Sequence, residues 1–254
     1  MGELNIVASG SSGNCAFLDF HDKLIFIDIG VSLKKLTSLI ESDVLFKKTL
    51  YLFITHEHQD HISSLIPFTE KFKATVLTSE GTADALKKKG VNVRDYYIIK
   101  SDRLYNIDNF KVAAFNLLHD SSEPFGYKFF LDEGSATFAT DFGAFSNYLL
   151  DYLNNSNILL LESNYEDTML YNGVYHKSLK RRIASIKGHL SNKEAVNIIS
   201  RLDTSKIKKI FLGHISEENN DYSLLNKYAQ FCTKYFEVNT FYLKQSESQL
   251  NLGI

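Results

Sequence analysis

Proline and cysteine are scarce in this chain of 254 residues, with two of each. Pro67 and Pro124 provide no Pro-rich linker at which to divide the chain, so a single domain over residues 1–254 is expected. Cys15 and Cys232 form no disulfide framework, and neither stands in a C-x-x-C pair; reduced thiols in a cytoplasmic protein follow. No run approaches the ~20 apolar residues of a membrane span. The opening Met1-Gly2-Glu3-Leu4-Asn5 lacks the basic and apolar regions of a signal peptide, so export is not expected. Charge of either sign is not in excess: the net value is −2, and a polyanion would have to be met by a local patch. At 44% hydrophobic residues the chain can bury a substantial core.

What is present is concentrated in Thr55-His56-Glu57-His58-Gln59-Asp60-His61, directly after the apolar run Leu50-Tyr51-Leu52-Phe53-Ile54. A buried strand thus delivers three imidazoles and a carboxylate to the loop at its C-terminal end. Imidazole with carboxylate suits Zn²⁺, Fe or Mn²⁺. His56 and His58, two apart, point the same way in extended backbone and can share one ion. Asp60 and His61 lie just beyond and can reach a second.

Short β-type runs fill the first half: Leu4–Ala8, Asn14–Phe20 and Lys23–Ile29 as a meander, then Leu50–Thr55, Thr75–Thr78 and Tyr96–Ile99. Helical spacing covers Leu33–Ile40, Ile62–Phe72 and Gly81–Lys89. Further strands are expected at Phe110–Leu118, Tyr127–Asp132, Ala136–Asp141, Ile158–Glu162, Lys209–Leu212 and Val238–Leu243. Ser191-Asn192-Lys193-Glu194 is a capping box opening a helix to Leu202, and Tyr222–Phe231 is another helix. Two blocks of strands with helices outside predict an α/β fold, a four-layered αββα sandwich. On this map Asp28, His119, Asp141 and His214 each fall at the end of a strand, where a rigid sheet can focus them on one point.

With these motifs the chain resembles the metallo-β-lactamase superfamily over nearly its full length. The resemblance implies two divalent metal ions (Zn, Mn or Fe): His56, His58 and His119 on the first, Asp60, His61 and His214 on the second, Asp141 bridging them and Asp28 orienting the His loop. Two divalent ions carry +4 and the two aspartates return −2; the surplus suits a bridging hydroxide and an anionic transition state. Gly10-Ser11-Ser12-Gly13-Asn14, Glu162-Ser163-Asn164, Leu179-Lys180-Arg181-Arg182-Ile183, Gly188-His189-Leu190-Ser191-Asn192 and His214-Ile215-Ser216-Glu217-Glu218 narrow the likeness to the small YycJ/WalJ group of nucleases, and more distantly to ribonuclease Z. Tyr165 departs from that group, which has His there.

The resemblance implies a phosphodiesterase or exonuclease on nucleic acid, DNA favoured, with Asp60 and His189 in catalysis; His189 would serve the leaving oxygen. Between Thr168 and Lys193 stand six basic residues and no acidic one. Leu179, Ile183, Ile186 and Leu190 repeat at helical spacing, which turns Lys177, Lys180, Arg181 and Lys187 outward as a stripe for a phosphate backbone, or simply as a solvated face. Ser11, Ser12, Asn14 and Asn164 are candidate substrate contacts, although Gly/Ser between strands is also an ordinary turn. The competing readings are a metallohydrolase of a small ester, thioester or cyclic phosphodiester, and a metal-binding regulator without turnover. No membrane and no obligate protein partner are expected.

Overall fold

The computed structural model describes residues 2–132, 134–245 and 247–254. Its first half runs β1 (Glu3–Ala8), β2 (Cys15–Phe20), β3 (Lys23–Ile27), α1 (Leu33–Leu39), α2 (Ser42–Lys47), β4 (Thr49–Phe53), α3 (Gln59–Ile62), α4 (Leu65–Phe72), β5 (Thr75–Thr78), α5 (Glu80–Lys88) and β6 (Tyr96–Ile98). The second runs β7 (Arg103–Ile107), β8 (Phe110–Asn116), β9 (Phe125–Leu131), β10 (Gly134–Ala139), α6 (Asn147–Leu153), β11 (Ile158–Glu162), α7 (Asp167–Asn172), α8 (Lys177–Ile183), α9 (Asn192–Ile199), β12 (Lys209–Gly213), α10 (Tyr222–Phe236), β13 (Asn239–Tyr242) and β14 (Gln249–Gly253). Two seven-stranded sheets result, ordered β14-β1-β2-β3-β4-β5-β6 and β13-β12-β11-β10-β9-β8-β7.

Three apolar clusters make the four layers. The central one joins the facing sheets through Leu18, Phe53, Val112, Tyr127, Phe129 and Phe211. A second lies between the first sheet and α1, α4 and α5, with Leu36, Phe68 and Leu86 against Leu50 and Leu52. The third sets Leu149, Ile198, Leu225 and Cys232 of α6, α9 and α10 against Leu159 and Leu161. β4 shows why alternation produces this: Leu50 and Leu52 face the helices, while Tyr51 and Phe53 face the other sheet. Phe53 is fully buried among Phe110, Tyr127 and Phe129, so truncating it to Ala would cost about 3–5 kcal/mol.

The expected αββα layering is the one observed. Several elements were not foreseen: α2, β7, α6, α7 and β14. The helix expected over Ile62–Phe72 begins only at Leu65, as α4, after the short α3 over Gln59–Ile62. The break lets the His61 carbonyl accept from Ile29 N and the Ile29 carbonyl accept from Ser64 N, which ties the His loop to the end of β3. Among the described residues no helix is long and apolar enough to cross a membrane.

β3, β4 and β5 are mutually parallel, as are β10, β11 and β12. β8 and β10 both run antiparallel to β9, so β8 points the same way as β10. The strand ends carrying chemistry therefore gather along one rim, where open α/β sheets present their sites.

Candidate metal centre

Each site side chain leaves its strand within a few residues of the strand's end. Asp28 follows β3, His56 and its neighbours follow β4, His119 follows β8, Asp141 follows β10, Glu162 closes β11 and His214 follows β12. Asp28, Asp141 and His214 hold left-handed backbone, with φ of 59°, 63° and 53°, so the chain turns sharply there. A glycine makes one close approach unavoidable. A Cβ on Gly30 would overlap the carbonyl oxygen of Asp60, which accepts from Asn14 N at 2.7 Å.

The imidazoles are oriented from behind. His61 Nδ1 donates to Asp28 Oδ2 at 2.7 Å, and Asp28 is itself fixed by Thr55 N and Thr55 Oγ1, both at 2.8 Å. Thr55 Oγ1, having donated to Asp28, accepts from His56 Nδ1 at 3.0 Å. His119 Nδ1 donates to the Gly188 carbonyl at 3.1 Å. His214 Nδ1 donates to Glu162 Oε1 at 2.8 Å. In each case Nε2 faces the centre, and that of His61 also has Asn14 Nδ2 at 3.0 Å.

Those free atoms converge. Ligand atoms of His56, His58 and His119 lie within 4.8 Å of one another; so do those of Asp60, His61 and His214, and those of His56, His61 and Asp141. Asp141 Oδ1 is 3.4 Å from His214 Nε2 and 3.8 Å from His119 Nε2, while its Oδ2 is 3.4 Å from His61 Nε2. His56 Nε2, His214 Nε2 and Asp141 Oδ2 are buried without a hydrogen-bond partner. Three orphaned ligand atoms in one cluster fit a cation.

The electrostatics of these residues on their own point the same way. Burial and then the neighbouring His61 push the His56 pKa well below its ordinary value, and burial with His119 lowers His58. Burial would also lower His214, but Asp141, Asp60 and Glu162 outweigh it and raise it to about 10. Asp28 and Asp141 likewise overcome burial to raise His61. Asp60 is held below the carboxylate range despite its burial, by His214 and His61. Carboxylates here hold positive charge in place, the field a metal ion would meet.

Glu162 was not assigned a role from sequence, though its Glu-Ser-Asn segment stood out. It is fully buried and accepts from His189 Nδ1 and His214 Nδ1 (both 2.8 Å), Phe142 N (3.0 Å) and Leu190 N (3.2 Å). Burial would raise its pKa; His189 and His214 hold it low instead. With Nδ1 engaged, His189 is left with Nε2 to present to the pocket. Only a long apolar strand ending in a carboxylate marked it in the sequence.

A cavity of about 220 Å³ opens over the centre, lined by Ser11, His58, Asp60, Asp141, Asn164, Arg182, His189 and His214, among others. Of the candidate substrate contacts, Ser11 and Asn164 reach it. Ser12 Oγ donates to Gln245 instead, at 2.8 Å. Asn14 lies buried, with Nδ2 3.2 Å from Asp60 Oδ2 and 3.0 Å from His61 Nε2, and supports the centre from beneath. The Lys180 ammonium donates to the Tyr171 and Gly173 carbonyls, 2.8 and 2.6 Å away, and so caps α7. The long basic helix is also shorter than its periodicity suggested. α8 stops at Ile183, the chain reverses at Gly188 to present His189, and Ile186 is 67% exposed. Lys177, Lys180 and Arg181 line a separate groove of about 890 Å³ between α7 and α8.

Residues 40–215 match the beta-lactamase superfamily domain. The chain belongs to the metallo-β-lactamase superfamily. Its sequence is 33% identical to the exodeoxyribonuclease WalJ of Streptococcus pneumoniae serotype 2, over 85% of this chain and 82% of that one. It is 30% identical to the exodeoxyribonuclease YycJ of Bacillus anthracis, over 85% and 83%. The metallo-β-lactamase fold protein YhfI of Bacillus subtilis superposes with a TM-score of 0.73 at 14% identity, over 98% of this chain and 99% of that one. The superfamily fold implies divalent metal cofactors, and the donors gathered here are of the kind that holds them.

Proposed function

We propose that the protein is a two-metal phosphodiesterase that shortens DNA from an end, as an exonuclease. The chain is a metal-dependent hydrolase of its superfamily, and what carries the finer reading is its identity to two exodeoxyribonucleases over 85% of its length. In this reading His56, His58 and His119 would hold one ion (Zn, Mn or Fe) and Asp60, His61 and His214 the other, with Asp141 available to both groups. Two bound ions would supply Lewis acidity and an activated water. The remaining work belongs to the chain. His189, aligned by Glu162 through Nδ1, offers Nε2 to the leaving oxygen, while Ser11 and Asn164 line the space for substrate. Arg181 and Lys177, beside the exposed ring of Tyr171, guide the strand beyond the cavity.

The same reading takes residues 1–254 as one domain in the cytoplasm, without an obligate protein partner. Pairing of β14 with β1, which joins the last strand to the first, supports the single domain. A second reading, hydrolysis of a small ester, thioester or cyclic phosphodiester, is favoured by the modest cavity of about 220 Å³. End-labelled single- and double-stranded DNA, incubated with Mn²⁺ or Zn²⁺, decides between them. Progressive shortening that EDTA stops and Asp60→Ala abolishes is expected. Intact DNA beside rapid hydrolysis of small esters would move the conclusion to the second reading.

A further inference from the structure

Arg182 stands apart from the other basic residues of its helix. Lys180 is occupied by carbonyls, and Lys177 and Arg181 face the α7 groove. Arg182, with Leu179 and Ile183 on the same face, turns to the cavity over the metal centre. Among the described residues it is the one Lys or Arg that lines this cavity. Its guanidinium makes a two-pronged pair with Asp120: Nε meets Oδ2, and Nη2 meets Oδ1 at 3.2 Å. Asp120 Oδ1 in turn lies 3.5 Å from His119 Nε2 and 3.8 Å from His58 Nε2. A cation held by those imidazoles would therefore compete with Arg182 for the same carboxylate.

We propose that Arg182 grips the phosphoryl oxygens of the substrate, and that Asp120 parks its guanidinium until substrate arrives. The reasoning is chemical. A planar fork that fits one carboxylate fits two phosphoryl oxygens equally well. The Arg182 side chain is 54% exposed, so the exchange opens no buried gap. Among the described residues, an anionic phosphodiester entering this cavity meets no other Lys or Arg lining it. The assignment rests on the phosphodiesterase reading, but it concerns phosphate and not DNA.

The test compares Arg182→Gln, Arg182→Lys and Asp120→Asn with wild type. Melting temperature, metal content and inorganic phosphate affinity are measured alongside kinetics on bis-p-nitrophenyl phosphate and an oligonucleotide. Arg182→Gln should weaken phosphate binding and raise KM for both substrates by about 10- to 100-fold, with melting and metal content as in wild type. Arg182→Lys should recover only part of this, because an ammonium lacks the fork. Asp120→Asn should shift phosphate affinity and KM the other way, by up to about fivefold, because it releases the arginine.

A mere latch between α8 and the His119 loop predicts something else: both Arg182→Gln and Asp120→Asn melt earlier and lose kcat together, with phosphate affinity unmoved. That result overturns the assignment. If wild type leaves DNA intact while Arg182→Gln still loses phosphate affinity, the nuclease reading fails and Arg182 keeps its role. If wild type digests DNA and Arg182→Gln matches it in every measurement, the assignment alone falls.

Discussion

Changing Glu162 to Gln removes one negative charge and keeps the side chain's shape, at a position with no solvent to compensate. The carboxylate accepts from two imidazoles and two backbone amides. An amide has one oxygen, so two of those four donors must face an N–H₂ group. Backbone N–H groups cannot release a proton, whereas an imidazole can move its proton to the other nitrogen. The oxygen should therefore stay with Phe142 and Leu190, and the amide nitrogen should face His189 and His214. Their protons then sit on Nε2, the atom His214 would offer to a metal. Losing such a partner costs about 10- to 100-fold in metal affinity. Losing two charge-assisted hydrogen bonds, at ~1.5 kcal/mol each, removes about 3 kcal/mol of stability. For a chain of this size that lowers Tm by roughly 6–12 °C. Elemental analysis, metal titration and calorimetry of wild type and Glu162→Gln report all of this. Wild type should hold about two ions per chain and the variant about one, with DNA digestion falling in step. A variant that takes up its second ion with wild-type affinity and melts within about 1 °C of wild type would refute the argument.

Protein stripped of metal should be most stable between about pH 4.5 and 6.5. Asp60 and Glu162, held low in the fold, contribute stability above their ordinary values of 3.8 and 4.5 that is lost as acid protonates them. His214, raised from 6.5 to about 10, contributes stability below 6.5 that is lost as pH climbs toward 10, and melting curves across pH 3–10 would show a plateau with two falling flanks. A flat profile contradicts the assignment of those charges. Separately, Lys177→Glu with Arg181→Glu should weaken oligonucleotide binding and flatten its log–log salt slope by just under about one unit per lost phosphate contact; an unchanged slope removes the α7–α8 groove from the strand's path.

The residues that gather at the centre were legible because they are side chains of rare type at strand ends. Each of His56, His58, Asp60, His61, His119, Asp141 and His214 needed only a strand boundary to be placed, and alternation with apolar runs supplies that. Asp28 was legible for the same reason, and the structure puts it behind His61. The partners of Lys180 and Asn14 were not legible, because hydrogen bonding is settled in three dimensions. Lys180 looked free on a helical wheel, but α7 ends just where its ammonium reaches, and α7 has no strong signal of its own. Asn14 looked like a loop residue beside a glycine turn; only the packing of Gly30 against Asp60 shows that it lies underneath the centre. The Leu179–Leu190 periodicity continued past the true helix end because Leu190 is core for a different reason, packed with α9 and not on α8. β7, half-exposed at an edge, carries too little apolar alternation to read as a strand.

Three residues of the centre, Asp28, Asp141 and His214, occupy backbone conformations that L-amino acids avoid, at a cost of about 1 kcal/mol each. These turns weigh on the fold, while the charge pairs among the side chains of the centre offset that cost. Mutational drift at these positions would then leave a recognisable trace. A change from Asp141 to Gly relaxes the turn and removes a crowded buried carboxylate, and the resulting chain should fold, persist and resist proteolysis while doing nothing. Inactive copies of such a protein would accumulate in soluble, well-behaved form instead of being cleared as misfolded. Abundance, which often stands in for function when variants are screened, would be blind to losses at Asp141.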